Sequence, residues 1–161
     1  MLTRPVLCVS LVFVTACHSA TAPKFSGTCR LWQTANQALE NARKTTLIFG
    51  DTDCPFTDEQ DRLTLPAGTW IIQAQVAWAP NDSGQRGAVL LQNAKTVLAE
   101  SGARPMLGYV GTLNVLLASV NSDGATFLQV QGTQTSGQVL TTLFGKADRN
   151  WVTYLSATRV N

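Results

Sequence analysis

Apolar and polar residues alternate with a period of two along much of this chain. The clearest run is Trp70–Trp78, where Trp70, Ile72, Ala74, Val76 and Trp78 share one parity and Ile71, Gln73, Gln75 and Ala77 the other. Successive side chains of a strand point to opposite faces, so this pattern predicts a strand with one side turned to a core. Pro66-Ala67-Gly68 before it and Ala79–Gly84 after it have turn composition. Thr28–Gln33, Thr45–Phe49, Arg62–Leu65, Thr112–Val120, Ala125–Gln131, Gln138–Leu143 and Trp151–Arg159 are further strand candidates. Arg86–Gln92 and Thr96–Ala99 flank Asn93-Ala94-Lys95, a connection of hairpin length. Ala35–Arg43 has weak helical propensity and reads as an irregular connection, while 51–61 and 101–111 read as loops. About eight to ten strands without a helix predict an all-β, two-sheet antiparallel sandwich.

Composition supports this reading and removes one class of partner. The chain has 161 residues, the size of one domain. Only 14% of residues are charged and 45% are hydrophobic, a balance that suits strands and turns. Twelve Lys and Arg against ten Asp and Glu leave a net charge of +2 with no basic stripe, so nucleic acid is not an expected partner.

The first residues carry an address. Arg4 precedes an apolar run, Val6–Ala16, about half the length that a membrane-spanning helix needs, which reads as an export signal. It ends in Val14-Thr15-Ala16-Cys17, which resembles the lipobox of bacterial lipoproteins. That resemblance implies a signal peptide over 1–16, lipidation of Cys17 and a short tether over 17–27. Acyl chains anchor at about 0.8 kcal/mol per buried methylene, so the membrane would be reached through lipid. His18 after the cysteine favours the outer membrane by the same resemblance. The alternative is a secretory signal cleaved after Ala20-Thr21-Ala22, although Pro23 would then follow the scissile bond. With Cys8 in the removed segment and Cys17 acylated, Cys29 and Cys54 remain. In an oxidising compartment they suggest one disulfide, worth about 3–4 kcal/mol for a loop of that size; two buried thiols are the alternative.

The order of several pieces carries a second resemblance. Arg30–Leu39 with its Asn36-Gln37 turn, Thr45–Phe49 before the acidic loop, Arg62–Trp70, Gln75–Trp78, Gly84–Gly87, Val97–Glu100, Phe127–Val130, Ser136-Gly137 and Tyr154–Val160 follow one another along the domain. Together they resemble the globular head of complement component 1q and its relatives in the tumour-necrosis-factor-like superfamily. The resemblance implies a jelly roll over 28–161 and a homotrimer with one face of each subunit buried at a threefold axis. Trp70, Trp78, Phe127, Gln129 and Gln131 are the candidates divided between that interface and the core; for the tryptophans, core filling is the simpler role. The chain departs from the pattern at Asn93-Ala94, where relatives often have Asn-Gly, and in its Cys29/Cys54 pair.

Few residues offer chemistry. His18 is the one histidine, so neither a Ser/His/Asp triad nor a multi-histidine metal site can form. No nucleophile elbow, phosphate loop or dinucleotide-binding glycine pattern occurs. Asp51, Asp53, Asp58, Glu59 and Asp61 could ligate calcium or act as paired acids on a polysaccharide, but Cys54-Pro55 interrupts the spacing and a solvated loop is expected. Arg86 and Arg104, which could meet an acidic glycan or lipid head group, read as solvated charges beside turns. The expectation is thus a non-enzymatic binding head without catalytic residues, metal or cofactor, exported and lipid-anchored, with a protein or glycan ligand. A secreted or phage-derived adhesion or fibre-tip module without lipid is the alternative, and a carboxylate-dependent polysaccharide enzyme the third reading.

Overall fold

In the computed structural model, which describes residues 27–56, 61–105, 111–144 and 152–160, the alternation of the sequence becomes two facing antiparallel sheets. The strands are β1 (Thr28–Trp32), β2 (Ala38–Leu39), β3 (Thr45–Thr46), β4 (Asp51–Thr52), β5 (Leu63–Thr64), β6 (Gly68–Trp78), β7 (Arg86–Gln92), β8 (Thr96–Ala103), β9 (Thr112–Ser122), β10 (Phe127–Gln134), β11 (Leu140–Thr141) and β12 (Tyr154–Val160). The first sheet runs β4-β1-β12-β6-β9 and the second β3-β10-β7-β8, with β5 also paired to β10 and a small β11-β2 ribbon beside them. No described residue is helical. The proposed signal, Cys17, the tether up to residue 26, His18, Asp58, Glu59 and Trp151 lie outside the described residues.

β6 is the centre of the core. Trp70, Ile72, Ala74, Val76 and Trp78 all point inward and are fully buried, as their shared parity predicts. Leu116 and Val120 from β9 and Leu155 and Ala157 from β12 extend the same layer, and Ala88, Leu90, Leu128 and Val130 face it from the second sheet. Gly132 lets the sheets close: a Cβ there would lie 2.7 Å from Leu39 Cδ2 and 3.1 Å from Trp78 Cη2. The tryptophan and asparagine trapped between the layers pair with each other and with the chain around them. Trp78 Nε1 donates to Asn114 Oδ1 at 2.7 Å, and Asn114 Nδ2 donates to the Ser101 carbonyl and hydroxyl at 3.2 Å. A buried indole N–H without such a partner would cost about 1–3 kcal/mol.

Cys29 and Cys54 form a disulfide, so the free-thiol alternative does not hold. The bond fastens the chain beyond β4 to β1, supplementing a ladder of only two residue pairs, Leu31 with Thr52 and Trp32 with Asp51. Phe56 then packs edge-on against Trp70, centroids 5.5 Å apart, and closes that end of the core.

Strand ends differ from the sequence reading for reasons of pairing. Ser101–Ala103, read as loop, prolong β8 because its partner β7 starts at Arg86, which pairs with Ala103. Thr45–Phe49 yields only β3: Thr45 and Thr46 pair with β10 and Leu47 N donates to the Val130 carbonyl, but Ile48 N turns to Gln37 Oε1 instead. Gln138–Leu143 likewise shortens to β11, and Ala125–Gln131 shifts to β10. At the β7–β8 hairpin Asn93 and Ala94 have φ of 52° and 56°, and Lys95 N donates to the Gln92 carbonyl at 3.1 Å. Both central residues are left-handed, as in a type I′ turn, with Ala where Gly would be unstrained.

Candidate functional site

The two sheets present different outer faces. On the first, the parity opposite the core brings Ile71, Gln73 and Gln75 of β6 beside Ser119, Leu117 and Val115 of β9, and beside Thr158, Ser156 and Tyr154 of β12. Leu117 is 66% exposed, Val115 51% and Ile71 39%, so three apolar side chains stand in solvent on adjacent strands. Tyr154 borders them: Gln73 Nε2 donates to its hydroxyl at 2.8 Å, and the Arg30 guanidinium lies 4.6 Å above its ring. Apolar side chains on both faces of a long edge strand are the signal that sequence reasoning passed over here, with Leu113, Val115 and Leu117 alternating with Asn114, Leu116 and Ala118.

The outer face of the second sheet carries Phe127, Gln129 and Gln131, each half-buried. The Arg62 guanidinium sits 5.2 Å from the Phe127 ring, Gln129 Nε2 donates to Asp61 Oδ2 at 3.0 Å, and Gln131 Nε2 reaches Thr46 Oγ1 at 3.5 Å. Beside them Val89 and Leu91, outward-pointing on β7, are only 9% and 7% exposed. Of the five residues singled out from the sequence, Trp70 and Trp78 therefore lie in the core, and the other three on this face. None lies on the exposed apolar face of the first sheet.

The acidic segment does not gather into a site among the described residues. Asp51 Oδ1 accepts from Thr52 N at 2.8 Å, Asp53 Oδ1 accepts from Arg30 N, and Asp61 is held on the other sheet by Gln129. Cys29, Asp53 and Cys54 bring three residues of metal-ligating type together, but both sulfurs are consumed in the disulfide. Paired acids need a shared cleft, and none of three clefts described below contains two carboxylates.

Arg86 is not the solvated charge that its neighbouring turn suggests. It points to the core side of β7 and is 1% exposed. Its Nη1 donates to the Ser83 carbonyl, and its Nη2 to the Asn81 carbonyl at 2.9 Å and Asn81 Oδ1 at 3.0 Å. Burial holds its pKa below the ordinary arginine value. It acts as an internal brace for the loop at 81–84 and is out of reach of a surface anion. Arg104 remains exposed, sharing a cleft with Asp82, Gly84, Gln85 and Pro105.

That cleft, a second lined by Thr34–Ala38, Ile48 and Gly50, and a third lined by Ala38, Glu40 and Arg43–Thr46 all lie toward the end of the sandwich where β1, β6 and β10 finish. Gly27, from which β1 starts, is at the opposite end with the turns 93–95 and 123–126. Among the described residues, no helix is long and apolar enough to cross a membrane.

No family model matches the sequence, and no curated protein matches it. Among solved structures the chain is similar to murine APRIL, with a TM-score of 0.62 at 8% identity, over 83% of this chain and 98% of that one. It is also similar to the Eiger TNF from S. frugiperda, with a TM-score of 0.54 at 10% identity, over 85% of this chain and 93% of that one. At such identities the likeness concerns the fold. The domain has a jelly-roll fold similar to that of these two proteins.

Proposed function

We propose that this chain is a non-enzymatic binding head that works as a homotrimer, exported and held at the cell envelope by lipid on Cys17. The observation that carries the trimer is the outer face of the first sheet: Ile71, Val115 and Leu117 stand exposed on adjacent strands. Contiguous apolar surface of this kind marks an interface, and a second and third copy supply one of matching character in a closed ring. Tyr154 and Gln73 at its border provide the polar rim that such interfaces carry. Binding rather than catalysis follows from the chemistry available: one histidine in the whole sequence, and acidic side chains dispersed over two sheets. The anchor rests on the signal-like run, the lipobox-like Val14–Cys17 and the cysteine accounting that leaves Cys29 and Cys54 to pair.

Light scattering on the purified soluble protein tests the assembly. Three copies are expected for the wild type and one for Leu117→Glu; a wild-type monomer at micromolar concentration overturns the trimer. Fractionation of cells expressing Cys17→Ala tests the anchor, with loss from the membrane fraction expected. A Cys17→Ala protein still in the membrane fraction rejects lipid on that residue, and a wild type in the soluble fraction favours the secreted form.

A further inference from the structure

The cleft between the β1–β2 connection and the segment before β4 is the uncharged one of the three clefts described. Asp82 and Arg104 line one of the others, and the Glu40–Arg43 pair with Lys44 the other. This one is formed by Thr34, Ala35, Asn36, Gln37, Ala38, Ile48 and Gly50 and has a volume of about 440 Å³, within the range of small-molecule sites.

Its walls are fixed. Gln37 accepts from Gln33 Nε2 at 3.1 Å and from Ile48 N at 2.9 Å, and donates to the Thr46 carbonyl at 2.9 Å. Gln33, itself buried, accepts from Thr142 Oγ1 at 2.8 Å behind it. Gly50 leaves room for Thr34, whose Oγ1 would lie 1.9 Å from a Cβ at position 50.

On this rigid floor several groups stay available. Among the described residues neither the Thr34 hydroxyl nor Asn36 Nδ2 has a partner, and both residues are exposed. Ile48 is 50% exposed at one side. The Phe144 amide donates to Asn36 Oδ1 at 3.2 Å and so fixes the Asn36 side chain with its Nδ2 free.

We propose that this cleft is a subsite for a neutral saccharide, an assignment that rests on the reading of the domain as a binding head. A pyranose ring has hydroxyls that both donate and accept and faces of C–H groups; the free Asn36 amide and Thr34 hydroxyl match the first and the exposed Ile48 side chain the second. The absence of charge from the lining disfavours phosphate, sulfate and carboxylate ligands, which draw on arginine and lysine. Position agrees with the use. The cleft lies past the end of β1 at the edge of the sheet opposite β9, so the proposed trimer face leaves it open. It also lies one strand-length from Gly27, where a tether would enter, and so faces away from the membrane.

The test is a titration of the isotopically labelled protein with glucose, galactose, N-acetylglucosamine and their β-linked dimers at millimolar concentration, followed by amide shifts. At least one saccharide should move Thr34, Ile48, Phe144 and the Asn36 side-chain amide with saturation, while a sulfated oligosaccharide leaves them in place. Asn36→Asp keeps the acceptor for the Phe144 amide but removes the donor, and should weaken binding about tenfold; Ile48→Ala should do the same. No shifts with any of these sugars, shifts indifferent to both variants, or tighter binding of the sulfated probe overturns the proposal. Shifts in a monomeric protein would sink the trimer and keep the site; a trimer without shifts would sink the site and keep the trimer.

Discussion

The outer faces of the two sheets begin from the same alternation and end differently. On the second sheet, outward Val89 and Leu91 are nearly buried beside half-buried Phe127, Gln129 and Gln131 of β10, where Arg62 meets the Phe127 ring and Asp61 meets Gln129. On the first sheet, Ile71, Val115 and Leu117 are exposed. An apolar residue on an outer face is thus informative only once the chain's other segments have been placed: on the second sheet Val89 and Leu91 are nearly buried and only Val97, beside Leu91, is 55% exposed, whereas three neighbouring apolar residues of the first sheet stand in solvent.

The largest expected effect comes from placing a charge on each face. Leu91→Glu buries an unpaired carboxylate and should destabilise the monomer by about 3 kcal/mol, whereas Leu117→Glu should change monomer stability by less than about 0.5 kcal/mol while abolishing assembly. Urea unfolding beside light scattering checks both, and equal effects on stability would erase the distinction between the faces. Next is the edge of the first sheet. Cys54→Ala should cost about 2–4 kcal/mol, because the short β4 ladder cannot hold the 53–56 segment without the disulfide, and tryptophan fluorescence should report partial exposure of Trp70. A smaller gain is expected on the second sheet. Ala94→Gly should stabilise by about 1 kcal/mol through relief of left-handed strain, read as a higher urea midpoint at unchanged slope.

The smallest effect is a pH dependence. Hydrogen bonding by Ala125 N, with further help from Thr126, holds the Asp123 carboxyl below its ordinary value. A carboxyl with a depressed folded-state pKa contributes stability above its unfolded value and loses it as pH falls through the folded one. The wild type should therefore lose slightly more stability than Asp123→Asn on acidification below the ordinary carboxylate range, as thermal melts across that range would show. An identical acid response in both proteins would remove this contribution.

Much of the architecture was legible from the alternation around β6. Trp70 through Trp78 declare their inward parity in the sequence, and Asn93–Lys95 declare a hairpin, because strand period and turn chemistry are local properties. The Cys29–Cys54 bond followed from a count. Arg86 was not legible: a charge beside a turn usually reaches water, and only the approach of the Asn81 and Ser83 carbonyls makes its burial possible. The cleft at Thr34–Ala38 was hidden for the same reason, since Thr34, Asn36 and Ile48 come together only where Ile48 N donates to Gln37 and Phe144 N to Asn36 across the sequence.

By itself, the sequence determined that this chain forms strands, which parity of its longest strand faces inward, and which two cysteines of the domain are available to each other, all consequences of backbone geometry and residue chemistry. Only the tertiary structure decided how far each outer face is exposed, because the neighbours that meet there come from distant segments, Asp61 meeting Gln129 and Arg62 meeting Phe127 some 65 positions on. Long-range contacts of that kind leave no periodic trace in the sequence.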